Sequence, residues 1–200
     1  GHFLLCIYGR LRWSDSQELQ HPTIDRRPTG GGYLETSTLR TKTSTTAAKK
    51  TSWLPVVVPL DGLTTNDLFD EFLSLRSKAG LPPVGSKRVD GTILPALPMV
   101  TSNGSFTEQP LSSSQAGKWL REMLKLKHEP RAKTSEFSPN DRNVRSHSLK
   151  RTPLSWIAKS GQFIPYERKL LGYHVESTES SMHIYSRDNI AAPLRRFESL

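Results

Sequence analysis

Two hundred residues with 28 Lys and Arg against 19 Asp and Glu carry a formal charge of +9. With a pI near 9.8, that balance favours a polyanionic partner, nucleic acid ahead of an anionic membrane surface. A single cysteine, Cys6, excludes an internal disulfide and a cysteine-built zinc site, and no apolar run approaches the roughly 18–20 residues of a membrane span. With 34% hydrophobic residues and 13 glycines the apolar share is about 40%, below the roughly 45–50% of ordinary globular domains. A core is therefore expected beside sizeable solvated loops.

The chain runs from Gly1 straight into Phe3-Leu4-Leu5-Cys6-Ile7-Tyr8, too short and without the basic lead-in of a signal peptide. It reads as a fragment of something longer, with Phe3 to Gln20 expected to be a helix entering from an upstream segment. Gly30-Gly31-Gly32 marks a hinge or tight turn. The Thr-rich stretch Tyr33 to Lys42 and the run Trp53-Leu54-Pro55-Val56-Val57-Val58 suit strands. Joined across the polar segment Ser44 to Lys50, they predict a β-hairpin whose turn carries Lys42, Lys49 and Lys50, closed by Asp61-Gly62.

Thr65 to Ala79 is expected to be helical. Leu68, Phe69, Phe72, Leu73 and Leu75 form its apolar face, a Thr/Asn/Asp start caps it, and Gly80 ends it. Residues 80–112, which include Pro82, Pro83, Pro95, Pro98 and Pro110, predict a long, partly extended loop. A second amphipathic helix, Ser113 to Leu126, is capped by serine and ends in Lys125 and Lys127. Residues 128–145 read as a second long loop, a basic connector. Short helices at 146–160, 165–173 and 188–199 follow, with the polar stretch Glu176 to Ser181 between the last two. The expectation is a single α+β domain over residues 1–200, mostly helical with one small antiparallel sheet or hairpin.

Four local patterns point to chemistry. Arg12-Trp13-Ser14-Asp15 follows the apolar opening, and Lys42 sits on the hairpin. His147-Ser148-Leu149-Lys150 opens a helix, and Leu170-Leu171-Gly172-Tyr173-His174 precedes Ile184-Tyr185-Ser186-Arg187. In this order and spacing they resemble the catalytic domain of the tyrosine recombinase, or phage integrase, family. That signature is an Arg in an R-x-S-E/D context, a hairpin Lys, H-x-x-R, a His or Trp after Leu-Gly, and a nucleophilic Tyr. The resemblance covers nearly the whole chain, from Tyr8 to about Leu200.

The resemblance implies DNA strand cleavage and rejoining through a 3′-phosphotyrosyl intermediate, without cofactor or metal, in recombination or integration of a mobile element. In-line attack by a tyrosine oxygen builds negative charge on the non-bridging oxygens, which cationic side chains stabilise in place of Mg²⁺. Carried over by position, Arg12 would grip the scissile phosphate, with Asp15 as a supporting carboxylate. Lys42 would protonate the leaving 5′-oxygen, His147 would flank the phosphate, His174 would hydrogen-bond it and Tyr185 would attack. Lys150 stands where the family has its second arginine, keeping the charge but losing the bidentate fork. Arg151, next on the helix, would point about 100° away. Tyr173 occupies the place usually held by the histidine, unless the turn is one residue longer. Double-stranded DNA is the implied partner, with a homo-oligomer forming on it. The implied setting is intracellular, nuclear in a eukaryote and otherwise cytoplasmic. The family's N-terminal core-binding domain is not in this sequence.

Each residue also has an ordinary reading. Arg12 can be a surface arginine beside Asp15, and Lys42 shares its turn with Lys49 and Lys50. His147 can serve locally beside Ser146 as helix N-cap, and His174 and Tyr185 can be packed side chains. Three alternatives stay open: a type IB topoisomerase-like relaxing enzyme, a degenerate or domesticated copy that binds DNA without cutting, and an unrelated basic domain. No phosphate-binding loop of the G-x-x-x-x-G-K-[ST] type, no spaced carboxylate pair and no metal-ligand pattern is present.

Overall fold

The architecture is α+β and mostly helical, as the sequence predicts. A computed structural model describes residues 1–26, 28, 32–39, 53–60, 65–128, 144–174 and 187–200. Strands β1 (Gln20–Arg26), β2 (Gly32–Leu39) and β3 (Trp53–Pro59) form an antiparallel sheet in the order β1-β2-β3. The expected hairpin of the 33–42 and 53–58 stretches is therefore present as β2 and β3. Leu34 lies opposite Val58, Thr36 opposite Val56 and Thr38 opposite Leu54, all six buried. That alternation turns one face of the sheet to the core. Gly32 starts β2 at φ +143 and pairs with Arg26, a backbone conformation that a side chain would strain. Gly30, Gly31, Lys42, the turn from Ser44 to Lys50 and Asp61-Gly62 lie outside the described residues.

The helices are α1 (His2–Tyr8), α2 (Trp13–Gln17), α3 (Thr65–Lys78), α4 (Ser113–His128), α5 (Ser146–Lys159), α6 (Pro165–Leu171) and α7 (Arg187–Glu198). The main core gathers Leu5, Leu11, Leu34, Val56, Ile157, Phe163, Leu171, Leu194 and Phe197 from α1, α5, α6, α7, β2, β3 and the turns beside them. Each such side chain, fully buried, contributes about 1.5–3 kcal/mol. A second cluster, Cys6, Trp13, Leu111, Ala116 and Leu149, joins α1 and α2 to the starts of α4 and α5.

Four expectations need correction. The single helix expected from Phe3 to Gln20 is two helices and the first residue of a strand. Arg10 adopts φ +54, which breaks the helix, and its side chain is drawn inward. Residues 80–112 are not simply loop, because β4 (Pro98–Val100) and β5 (Phe106–Pro110) pair as an exposed hairpin. Gly104 at φ +84 turns it, with Ser105 N donating to Asn103 Oδ1 at 3.1 Å. On α3, Phe69 is buried and Phe72 and Leu73 are half-buried, but Leu75 is 55% exposed. The buried stripe at i, i+3, i+4, i+7 from Phe69 ends on Arg76, not on a leucine. Finally, Ser146 is the first residue of α5 rather than its cap. Arg145 is the N-cap, and its backbone N–H donates to Ser148 Oγ at 3.2 Å.

Candidate functional site

Arg12 ends the turn between α1 and α2 and is the extended N-cap residue of α2 (φ −71, ψ 155). Its orientation follows from what α2 is fastened to. Trp13 is buried, and its Nε1–H donates to Leu111 O at 2.7 Å. Thr38, fully buried near the end of β2, donates from Oγ1 to Asp15 O at 2.6 Å. Gln17 accepts Leu97 N on Oε1 at 3.0 Å and Ala96 N on its backbone oxygen at 2.9 Å. The short helix is thus held on three sides, and the strand end that leads toward Lys42 is bonded directly to it.

Arg12 lines a cleft of about 320 Å³. Across from α2 stand the loop Pro110–Ser112, Ser113 at the start of α4, and Ser146 and His147 at the start of α5. Ser113 Oγ and Ser146 Oγ lie 2.6 Å apart, and Arg121 Nη1 donates to Val144 O at 3.0 Å, so the two helix starts converge. Neither helix has an acidic residue in its first turn. The aligned peptide dipoles therefore add positive potential to the arginine and imidazole. The hydroxyls of Ser14, Ser112, Ser113 and Ser146 also line the cleft. Such a combination suits an anion with several oxygens, as a phosphate has.

Two residues of the cleft escape sequence reasoning. Gln17 is buried, and its Nε2 has no hydrogen-bond partner. Glu18 is half-buried, and burial first, then the neighbouring Asp15 charge, push its carboxyl up from the usual range. Gln17, Glu18 and Pro110 also line an adjoining groove of about 390 Å³ that reaches Gln20, Arg88 and Trp53. The two hollows therefore share a wall, with His147 lining the one and Trp53, the first residue of β3, lining the other.

Lys150 and His174 sit at a second place. Lys150 is 6% exposed and lies outside the cleft lining. Its Nζ donates to Gly172 O at 3.0 Å and stands 5.5 Å from the centre of the Tyr173 ring. The charge of H-x-x-K is therefore spent on a backbone carbonyl one turn along α5 from His147. Gly172 caps α6 in right-handed conformation, and Tyr173 takes the left-handed φ of +57. His174 N donates to Lys169 O at 2.8 Å and Tyr173 N to Leu170 O at 3.1 Å, the paired bonds of a Schellman motif. Tyrosine is unusual there. Its hydroxyl holds it, donating to Gly9 O at 3.0 Å and accepting from Arg10 Nη2 at 3.0 Å. Tyr173 is thus buried and His174 exposed.

Arg10 fastens the α6 turn to α1 and β3, and no motif in the sequence marks it. It is fully buried, donating from Nε to Leu171 O (2.9 Å), from Nη1 to Tyr8 O (2.5 Å) and from Nη2 to Val57 O (3.2 Å). Its guanidinium also lies 5.4 Å from the Tyr173 ring and 5.6 Å from Phe197. Asp15, 8% exposed, is within electrostatic reach of both Glu18 and Tyr173. Among the site residues named from the sequence, Arg12 and His147 share the cleft, while Lys150 and His174 share the α6 turn. Asp15 is buried beside them without lining the cleft, and Lys42 and Tyr185 lie outside the described residues.

Among the described residues no group of three His, Cys, Asp or Glu could hold a metal ion, and no helix is long and apolar enough to cross a membrane. No protein-family model matches the chain, and no curated protein is similar to it in sequence.

Proposed function

We propose that the chain is the catalytic portion of a DNA breaking and rejoining enzyme that works through a phosphotyrosyl linkage, in recombination or integration of a mobile element. One observation carries this reading: Arg12 and His147, far apart along the chain, line a single cleft with the N-termini of α4 and α5. The scissile phosphate sits there, its non-bridging oxygens on Arg12, His147 and the helix-start donors. The Tyr185 oxygen attacks phosphorus and releases its proton to solvent, the bond to the 5′-oxygen breaks, and Lys42 supplies the proton that oxygen takes up. Attack by a 5′-hydroxyl on the 3′-phosphotyrosine reverses the step and restores Tyr185. The groove running on to Trp53 gives the neighbouring nucleotides a course along the protein surface.

A second reading has its own support. Lys150 is buried on Gly172 O and does not line the cleft, so it does not supply the second cation that the family places on the phosphate. A domain that binds DNA without cutting it needs no such cation. One experiment separates the two readings. The purified chain is incubated with supercoiled plasmid at low salt, denatured, and assayed for protein covalently attached to DNA, beside Tyr185→Phe and Lys150→Arg. A parental adduct that disappears in Tyr185→Phe is the expected result. Salt-sensitive binding with no adduct in any of the three supports the binding-only domain, and loss of binding on Arg12→Ala locates that binding at the cleft.

A further inference from the structure

A cavity of about 380 Å³ opens between α1, β1, β2, α3 and the segment Leu81–Val84. Its walls are apolar, built chiefly by Leu5, Leu19, Leu34, Phe69, Leu73 and Val84. A volume in this range is that of a small-ligand site. Its polar members are Ser77 and Arg76, and Arg76 occupies the stripe position of α3 where an apolar residue would complete the core face.

Arg76 is only 6% exposed. Its Nη1 donates to Ala96 O and its Nη2 to Pro82 O at 2.6 Å, which ties α3 to the following segment. One face lies 5.7 Å from the Phe72 ring. Its Nε is buried with no hydrogen-bond partner. Among the described residues no carboxylate lies within ion-pair distance of it, whereas Arg26, Arg88, Lys125 and Arg196 all have one. Burial with nothing to offset it lowers the affinity of Arg76 for its proton. Buried charges in proteins are ordinarily paired, and here the unpaired one borders an apolar hollow.

We propose that this cavity binds a small apolar carboxylate, with the hydrocarbon tail among the leucine and phenylalanine walls and the carboxylate on the Nε–H of Arg76. The ligand supplies both missing parts at once, an anion for the guanidinium and apolar volume for the hollow. Neither an apolar alcohol nor inorganic phosphate supplies both. The site is separate from the cleft at Arg12, so the proposal stands independently of the DNA reading.

Calorimetric titration of the full 200-residue chain with hexanoate, octanoate, decanoate, decanol and inorganic phosphate tests it, each below its micelle concentration. Decanoate is expected to bind at least tenfold more tightly than decanol, and affinity to rise about fourfold per methylene until the cavity is full. Leu73→Trp, which fills the hollow from a half-buried position, is expected to abolish binding while circular dichroism shows the fold retained. Arg76→Met is expected to remove the preference for decanoate over decanol. If that variant does not fold, the parental comparison and Leu73→Trp decide the matter. Equal affinity for decanoate and decanol, undiminished binding in Leu73→Trp, displacement of decanoate by equimolar phosphate, or no binding of decanoate would each overturn the proposal.

Discussion

Two buried arginines in this protein behave in opposite ways. Arg10, at the junction of α1, β3 and the α6 turn, spends its donors on three carbonyls and the Tyr173 hydroxyl, with two aromatic rings beside it. Arg76, on α3, leaves Nε unpartnered at the edge of an apolar hollow. A guanidinium with all three nitrogens committed acts as a fastener, holding elements far apart in sequence at a set distance. One with a whole nitrogen unpartnered beside empty volume is equipped to receive something. Burial alone distinguishes neither, since both side chains are nearly inaccessible; the difference lies in how completely the hydrogen-bonding capacity is used.

The largest consequence is expected at Arg10. Arg10→Met should destabilise the fold by on the order of 4 kcal/mol, because several buried acceptors lose a donor at once, each worth about 1–3 kcal/mol. Arg76→Met should lose about half as much, since Pro82, one of its two partners, is exposed and water can replace the bond. Urea unfolding of both variants measures this, and equal losses would remove the contrast between fastener and receiver.

A smaller effect, about 1–3 kcal/mol, is expected for Tyr173→Phe. That change deletes the hydroxyl bridging Gly9 O and Arg10 while keeping the ring and its left-handed backbone. If the hydroxyl matters chiefly as part of the Arg10 cluster, Tyr173→Phe in the Arg10→Met background should lose much less than in the parent. A double-mutant cycle reads that coupling.

The smallest effect comes from a third buried polar group. His2 packs edge-on to Trp13 with ring centroids 5.0 Å apart and hydrogen-bonds Ser16 Oγ through Nε2 at 3.0 Å. Burial foremost, with the Arg76 charge adding to it, lowers its pKa to about 3 from 6.5. The unfolded chain therefore binds a proton that the folded chain refuses. Stability is complete above pH 6.5 and falls progressively as pH drops toward 3. About 1.4 kcal/mol should be gone by pH 5.5, and His2→Phe should flatten this part of the acid limb of a urea-midpoint profile.

Much of the fold is legible in the residues because the signals are local. The capped, periodic stretches at 65–79, 113–126, 146–160, 165–173 and 188–199 correspond to α3 through α7 within a few residues. The β-branched run at 53–58 pairs with the Thr-rich run before it. The candidate site is legible in part for a different reason. Arg12 and His147 stand in short patterns whose chemistry can be named before any contact is known, and the fold brings both to one cleft. Gln17 and Glu18 carry no such pattern, and their relevance arises only because Leu97, Pro110 and Ser112 come to lie beside α2.

By itself, the sequence determined helices α3 through α7, the hairpin of β2 and β3, the basic charge and the order of candidate catalytic residues. All of these depend on neighbours within a few positions, where propensity, capping and periodicity act. Tertiary structure alone decided that Phe3 to Gln20 breaks at Arg10, that Gln20 to Arg26 becomes a strand, and that Arg76 rather than Leu75 is buried on α3. It also decided that Tyr173 turns inward so that His174 faces out. Each of these outcomes is set by a partner distant along the chain: a carbonyl on β3, a ladder with β2, the carbonyls of Pro82 and Ala96, or the oxygen of Gly9. A backbone polar group that must be satisfied by a remote segment leaves no mark on the residues around it, and so becomes visible only once the chain has closed on itself.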